Sequence, residues 1–147
     1  MVKLAEENGL CAIGIDGDFT LTRYDPSKFI VHDFTSGPAP VSDTYDIGWS
    51  CEFVEHVYAE YIPNFVQAMQ KCKNLAMTAA PPGHGGYHHV NEQESEYWIK
   101  VMSNYNFEFD STLTETWRSR STMGGRKKHR YVQKTGLFFK NLELEWK

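Results

Sequence analysis

Histidines carry the most reactive chemistry in this sequence. His84, His88 and His89 crowd into the segment PPGHGGYHHVN at positions 81–91, and His56 follows Glu55 in the block SCEFVEHV at 50–57. An imidazole has an unperturbed pKa of about 6.5, so near neutral pH it can take up or release a proton where most side chains cannot. His56 and His89 are therefore candidates for a catalytic base, or for a group that orients a reacting atom. Glu55, His84, His88 and Asn91 are candidates for holding a substrate beside them. Gly83, Gly85 and Gly86 punctuate the same segment, and their freedom at positive φ would let the loop close over a bound molecule. The plainer reading is a packed, hydrogen-bonded pair at Glu55 and His56, with a surface turn for the loop.

Metal binding is the rival chemistry, because imidazole is a common zinc ligand. A closed structural site draws on nearby cysteine or carboxylate at regular spacing, and here Cys72 and Glu92 would have to be recruited without a recognisable pattern. No metal site is expected on that ground. Farther along, Arg118, Arg120, Arg126, Lys127, Lys128 and Arg130 form a basic stretch broken by Gly124 and Gly125, of a kind that can contact phosphate. The chain is acidic as a whole and only His129 and Tyr131 are interleaved as stacking groups, so nucleic acid is not the expected partner.

The frame that must position these groups reads as strands alternating with helices. Val2 to Asn8 has helix-forming residues and stops at Asn8-Gly9. Leu10 to Ile15 is a continuous apolar run ending at Asp16-Gly17-Asp18, the profile of a strand buried on both faces. Phe29 to His32 is a second strand, ending at Asp33 and Phe34, and Tyr45 to Trp49 a third, ending at Ser50. Helical spacing follows in Cys51 to Val57, and again from Tyr61 to Cys72 through Ile62, Phe65, Val66 and Met69, with Pro63 suited to the first turn. Asn74 to Ala79 is a fourth strand and runs into the histidine loop. Glu94 to Tyr105 is an amphipathic helix with Trp98, Ile99 and Met102 inward. Phe107 to Asp110 and Tyr131 to Asn141 read as the last strands, the latter in an antiparallel hairpin. Together these predict an α/β fold with a mostly parallel sheet, right-handed crossovers and helices on both faces.

At 147 residues and 41% hydrophobic content, the chain suits one domain spanning 1–147. A net charge of -4 gives no general pull toward nucleic acid or anionic membranes. Cys11, Cys51 and Cys72 are odd in number and set among apolar residues, which predicts buried thiols in a reducing, cytoplasmic setting. No apolar run approaches the roughly 20 residues that cross a bilayer, and the opening residues carry no secretory signal, so no membrane partner is expected.

The order GIDGD, HDF with a proline turn, YDIGWSCEFVEHV, and a strand ending in TAAPPGHGG resembles class I S-adenosylmethionine-dependent methyltransferases over roughly residues 2–110. SCEFVEHV is similar to the S-x-E-x-x-E-H-x segment after the fourth strand of many small-molecule methyltransferases. PPGHGGYHHVN followed by Tyr97-Trp98 resembles the loop after the fifth strand in a subgroup of them. The resemblance implies S-adenosyl-L-methionine as cofactor. Asp16, with Gly17, would take the ribose hydroxyls, Asp33 the adenine amino group, and Phe34 or Phe19 would cover the ring, with Trp49 and Ser50 at the cofactor's edge. A carboxylate suits a vicinal diol, although aspartate is also common wherever strands end in turns.

The family's first strand and glycine-rich loop have no counterpart in the chain, so the domain is expected to be N-terminally truncated relative to the family. In the family that strand lies between the LCAIGI and YDIGW strands, and two buried edges would otherwise lack partners. Either the flanking strands pair directly, or a second copy donates a strand in a homo-oligomer, or the natural chain is longer. Without the glycine loop, cofactor binding is expected to be weak. The implied function is methyl transfer to a small hydroxylated acceptor. The alternative is a degenerate methyltransferase fold serving as a non-catalytic binding or oligomerisation module.

Overall fold

The computed structural model describes residues 1–122 and 130–144. Helix α1 (Val2–Glu7) ends at Gly9, whose φ of 76° only glycine adopts at no cost. Strand β1 (Gly14–Asp16) runs parallel to β2 (Phe29–Val31), with Gly14 opposite Phe29 and Asp16 opposite Val31. These two strands form a sheet of their own.

The second sheet has the order β3-β4-β6-β5, from β3 (Tyr45–Ser50), β4 (Cys72–Met77), β5 (Phe107–Phe109) and β6 (Leu137–Asn141). β3 is parallel to β4, whereas β6 is antiparallel to both β4 and β5. Strand alternation splits the side chains between two faces. Leu75, Met77, Leu137 and Phe139 join the main core with Phe65, Val66, Trp98 and Met102. Those partners come from α2 (Ile62–Met69) and α3 (Ser95–Ser103), whose buried residues recur at helical spacing. On the opposite face Ile47, Trp49, Ala76 and Phe138 meet Leu113, Thr116 and Trp117 of α4 (Ser111–Arg120), so helices cover both faces. The first sheet joins this body through Phe34, which packs on Phe53 and Phe65, and through the Asn64 side chain, which donates to the Phe34 carbonyl at 2.7 Å.

Several expectations change. The ladders are two parallel and two antiparallel, so the architecture is mixed α/β and not mostly parallel. β1 and β3 lie in separate sheets and do not pair with each other, which removes direct closure of the gap. The LCAIGI run is strand only from Gly14 and is not buried on both faces; Leu10 is 63% exposed and Cys11 is exposed. Only Cys72 of the three cysteines is buried.

Cys51 to Val57 is not an α-helix but an extended turn followed by a 3-10 turn at Val54–His56. Tyr131 opens α5 (Tyr131–Thr135) before β6 begins, and α4 fills the segment between the last two strands. β5 and β6 are thus antiparallel neighbours without being a hairpin. Of the basic stretch, Gly124, Gly125, Arg126, Lys127, Lys128 and His129 lie outside the described residues. Arg118 donates through Nε to the Gly136 carbonyl at 2.7 Å, which ties α4 to the start of β6. No helix among the described residues is long and apolar enough to cross a membrane.

Candidate functional site

The residues expected to act together fall into three places. Asp16 and Asp33 leave β1 and β2 at the same end of their parallel pair, and both are exposed. Asp16 Oδ1 accepts from the Asp18 amide at 3.0 Å. Asp33 Oδ1 accepts from the Thr35 amide at 2.8 Å and caps a 3-10 turn, a contact that holds its carboxyl below the usual range. Gly17 is open, its nearest neighbour being the His32 carbonyl. Phe34 turns into the core, edge-on to Phe53, Phe65 and His32, whereas Phe19 is 76% exposed.

Trp49 and Ser50 separate, because neighbours on a strand point to opposite faces. Trp49 lies edge-on to Trp117 of α4, with ring centroids 5.4 Å apart, beside an open apolar hollow. Ser50 is buried, and its hydroxyl has no partner among the described residues.

The third place gathers Glu55, His56, His84, His88, His89 and Asn91 where the chain leaves β3 and β4. The 3-10 turn and the loop are stitched together by the Glu55 carbonyl, which accepts from the Val90 and Asn91 amides at 2.9 and 3.0 Å. That brings the His56 and His89 rings edge to face at 4.8 Å. His56 Nδ1 donates to the His88 carbonyl at 3.2 Å, and His89 Nδ1 to Glu92 Oε1 at 2.8 Å. Carbonyl and carboxylate oxygens only accept, so each Nδ1 carries its proton and each neutral ring keeps a lone pair at Nε2.

His84 stacks parallel to His89 at 6.2 Å. The His88 side chain turns outward beside Tyr58 and Tyr87, and its backbone sits at φ 57°. Asn91 is buried, with Oδ1 accepting from Gln93 and Nδ2 without a protein partner.

Gly86 has a steric role in place of a hinge: an added Cβ would collide with His89 Nε2 and lie 2.6 and 2.7 Å from the adjoining ring carbons. Gly83 and Gly85 do adopt positive φ, and their amides donate to Glu92 at 2.8 and 2.7 Å.

Glu55 is fully buried, and neither carboxylate oxygen has a hydrogen-bond partner among the described residues. Glu52, three residues earlier, stands at φ 53°, a left-handed conformation that costs a non-glycine residue of the order of 1–3 kcal/mol. Its backbone amide donates to the Thr78 hydroxyl, which in turn donates to Glu52 Oε1 at 3.2 Å. Burial, reinforced by Glu55 nearby, pushes its carboxyl up to about 7. Glu52 and His84 line a cleft of about 320 Å³ whose far wall is Tyr131, Lys134 and Thr135 of α5.

Glu52 and the α5 wall are absent from the candidates the sequence offers, and Glu92 enters there only as a possible metal ligand. For Glu52 the E-x-x-E-H spacing was the available signal. The α5 contribution needed a helix where β-branched and aromatic residues suggested a strand.

No family model and no curated protein matches the chain. Among solved structures the chain is similar to LepI in complex with SAM, at 14% identity and a TM-score of 0.49, covering 75% of this chain and 35% of that one. It is also similar to a pericyclic reaction enzyme at 13% identity and a TM-score of 0.48, with the same coverage. The chain thus spans about a third of the length of either.

Proposed function

We propose that the chain is a methyltransferase-like domain that binds S-adenosyl-L-methionine and acts on a small hydroxylated molecule. The observation that carries this reading is strand order. β2-β1 stands apart from β3-β4-β6-β5, so that among the described residues β1 and β3 each have an unpaired edge where the family resemblance puts another strand, and antiparallel strands gather beyond β4. In open parallel sheets, ligands bind beyond the carboxyl ends of strands. Asp16 and Asp33 occupy those ends of β1 and β2, and the histidine cluster follows those of β3 and β4.

The residues present fit the nucleoside half of the cofactor. Asp16 is exposed and accepts one amide, and a carboxylate has room for roughly four donors, so both ribose hydroxyls can be received. Phe34 offers little free ring face, which leaves Phe19 as the aromatic able to lie over adenine. When bound, S-adenosyl-L-methionine supplies an electrophilic methyl group. This chain's part is to hold the acceptor hydroxyl in line and receive its proton. His56 and His89 suit that through their Nε2 lone pairs, which their Nδ1 contacts leave available.

Calorimetric titration of the full chain with S-adenosyl-L-methionine tests the reading. Weak saturable binding is expected, and Asp16→Asn should weaken it by about tenfold or more, the loss of a charge-assisted hydrogen bond. No heat at millimolar cofactor, or binding indifferent to Asp16→Asn, would leave the non-catalytic module as the better account.

A further inference from the structure

Glu55, His56 and His89 each present one ligand atom, and these three atoms lie within 4.8 Å of one another. We infer that they form a binding site for a first-row divalent cation, against the expectation drawn from histidine spacing alone. The inference concerns ion binding only and does not require methyl transfer; an ion held there takes up the Nε2 lone pairs, so while it is bound neither imidazole receives the acceptor's proton.

Two independent features point to an ion. First, Glu55 is completely buried with both carboxylate oxygens unpartnered. A carboxyl removed from water stays ionised only where a counter-charge or donors compensate it, and no protein donor does so among the described residues. A cation beside it supplies that charge.

Second, both imidazoles are arranged as metal-bound histidines are. A ligating histidine donates its other ring N–H to a carboxylate or a backbone carbonyl, which fixes the tautomer and raises the basicity of the coordinating nitrogen. His89 does this to Glu92 at 2.8 Å and His56 to the His88 carbonyl at 3.2 Å. Glu92 is itself fixed by the Gly83 and Gly85 amides, so the orienting group is oriented in turn.

The missing Cβ of Gly86 would fall over the face of the His89 ring, nearly equidistant from the two carbons that flank Nε2, and glycine therefore admits the ring at this position. One carboxylate and two imidazoles are borderline ligands that favour zinc, cobalt, manganese or iron(II) over calcium or magnesium. Bonds of about 2.0–2.2 Å place ligand atoms roughly 3–3.5 Å apart, so from separations of up to 4.8 Å the three must draw in by up to about 1.5 Å. Three protein ligands leave coordination positions open. Glu52, three residues before Glu55, lines the neighbouring cleft with His84.

The full chain, stripped with a chelator, is titrated with Co²⁺ while its visible d–d absorption is followed, with no methyl donor present. A saturable band at one ion per chain is expected. His56→Ala and His89→Ala should abolish it, and His88→Ala, whose side chain faces Tyr58 and Tyr87, should keep it. Glu92→Gln should weaken the ion by about 10–100-fold, as loss of an outer partner does. Because an alanine at either imidazole can unseat the loop, near-isosteric Glu55→Gln is the second probe, with circular dichroism as the check on folding. It must lose the band while remaining folded. No band in the wild type, a band that survives in folded Glu55→Gln, or one lost in His88→Ala would overturn the site.

Discussion

Two sets of carboxylates stand at strand ends in this molecule, and their surroundings differ. Asp16 and Asp33 are in water and each accepts an amide two residues further on, the ordinary arrangement of an aspartate closing a turn. Glu55 is out of water, and no described residue donates to it. The first arrangement is complete as it stands, so a ligand there would add to a structure that does not need one. The second is incomplete, and its incompleteness is itself the information: an exposed acid is compatible with almost any role, a buried and unpartnered one with few.

Substitution at Glu55 is the sharpest way to break this comparison. In chelator-treated protein, Glu55→Met should raise stability by about 1–3 kcal/mol, because an apolar side chain of similar length removes a buried polar group left without partners. The same change should abolish any rise in melting temperature on adding Co²⁺. Urea unfolding with and without the ion checks both, and a destabilised apo variant would mean that Glu55 already has compensation within the protein. Gly86→Ala comes next. Its methyl group collides with the His89 ring, and overpacking of this kind typically costs about 1–3 kcal/mol, so a loss near the lower bound, measured by urea unfolding, together with weaker cobalt binding is expected.

Glu52 sharpens the comparison through pH. Its carboxyl titrates at about 7 in the fold against 4.5 ordinarily, so the native state holds the proton more tightly than the unfolded chain does. That contribution to stability is fully present below about pH 4.5 and is lost as pH rises through about 7. In metal-free protein the urea midpoint of Glu52→Gln should therefore match wild type near about pH 4.5 and exceed it increasingly toward about pH 8. Parallel curves would place Glu52 in ordinary solvent. The smallest effect belongs to the exposed pair: Asp16→Asn and Asp33→Asn should each change stability by no more than about 0.5 kcal/mol, since asparagine closes the same turns. Equilibrium unfolding measures this, and a larger loss would give the tips of β1 and β2 a structural duty.

Much of this frame was legible beforehand. Ile62, Phe65, Val66 and Met69 mark α2 by spacing alone, and the apolar run at β4 belongs to a strand whose Leu75 and Met77 lie in the core. That His56 and His89 converge followed from their both lying just beyond strand ends. What stayed hidden has physical reasons. α4 is polar nearly throughout, so periodicity is faint there, although Asp110 accepting from the Leu113 amide is a helix-capping signal the sequence does carry. Tyr131 and Val132 favour strands by propensity, yet packing of the fully buried Val132 settles the matter in favour of helix. Trp49 and Ser50 were grouped as neighbours in sequence when the two-residue repeat of a strand sends them to opposite faces. The burial of Glu55 was least accessible, since it depends on how the loop at 81–91 folds back over it.

That loop hangs on one side chain. Glu92 receives the Gly83 and Gly85 amides and the His89 ring at once, so the path of the backbone and the aim of the imidazole are not separately adjustable. These contacts, the His89 one foremost, hold the Glu92 carboxyl below its ordinary range, so the latch is firm at neutral pH and fails as acid titrates it. When it fails, the two glycine amides should become exchangeable with solvent in the same step that frees the ring to turn. Whatever occupies the pocket therefore senses the order of a stretch of chain it does not touch.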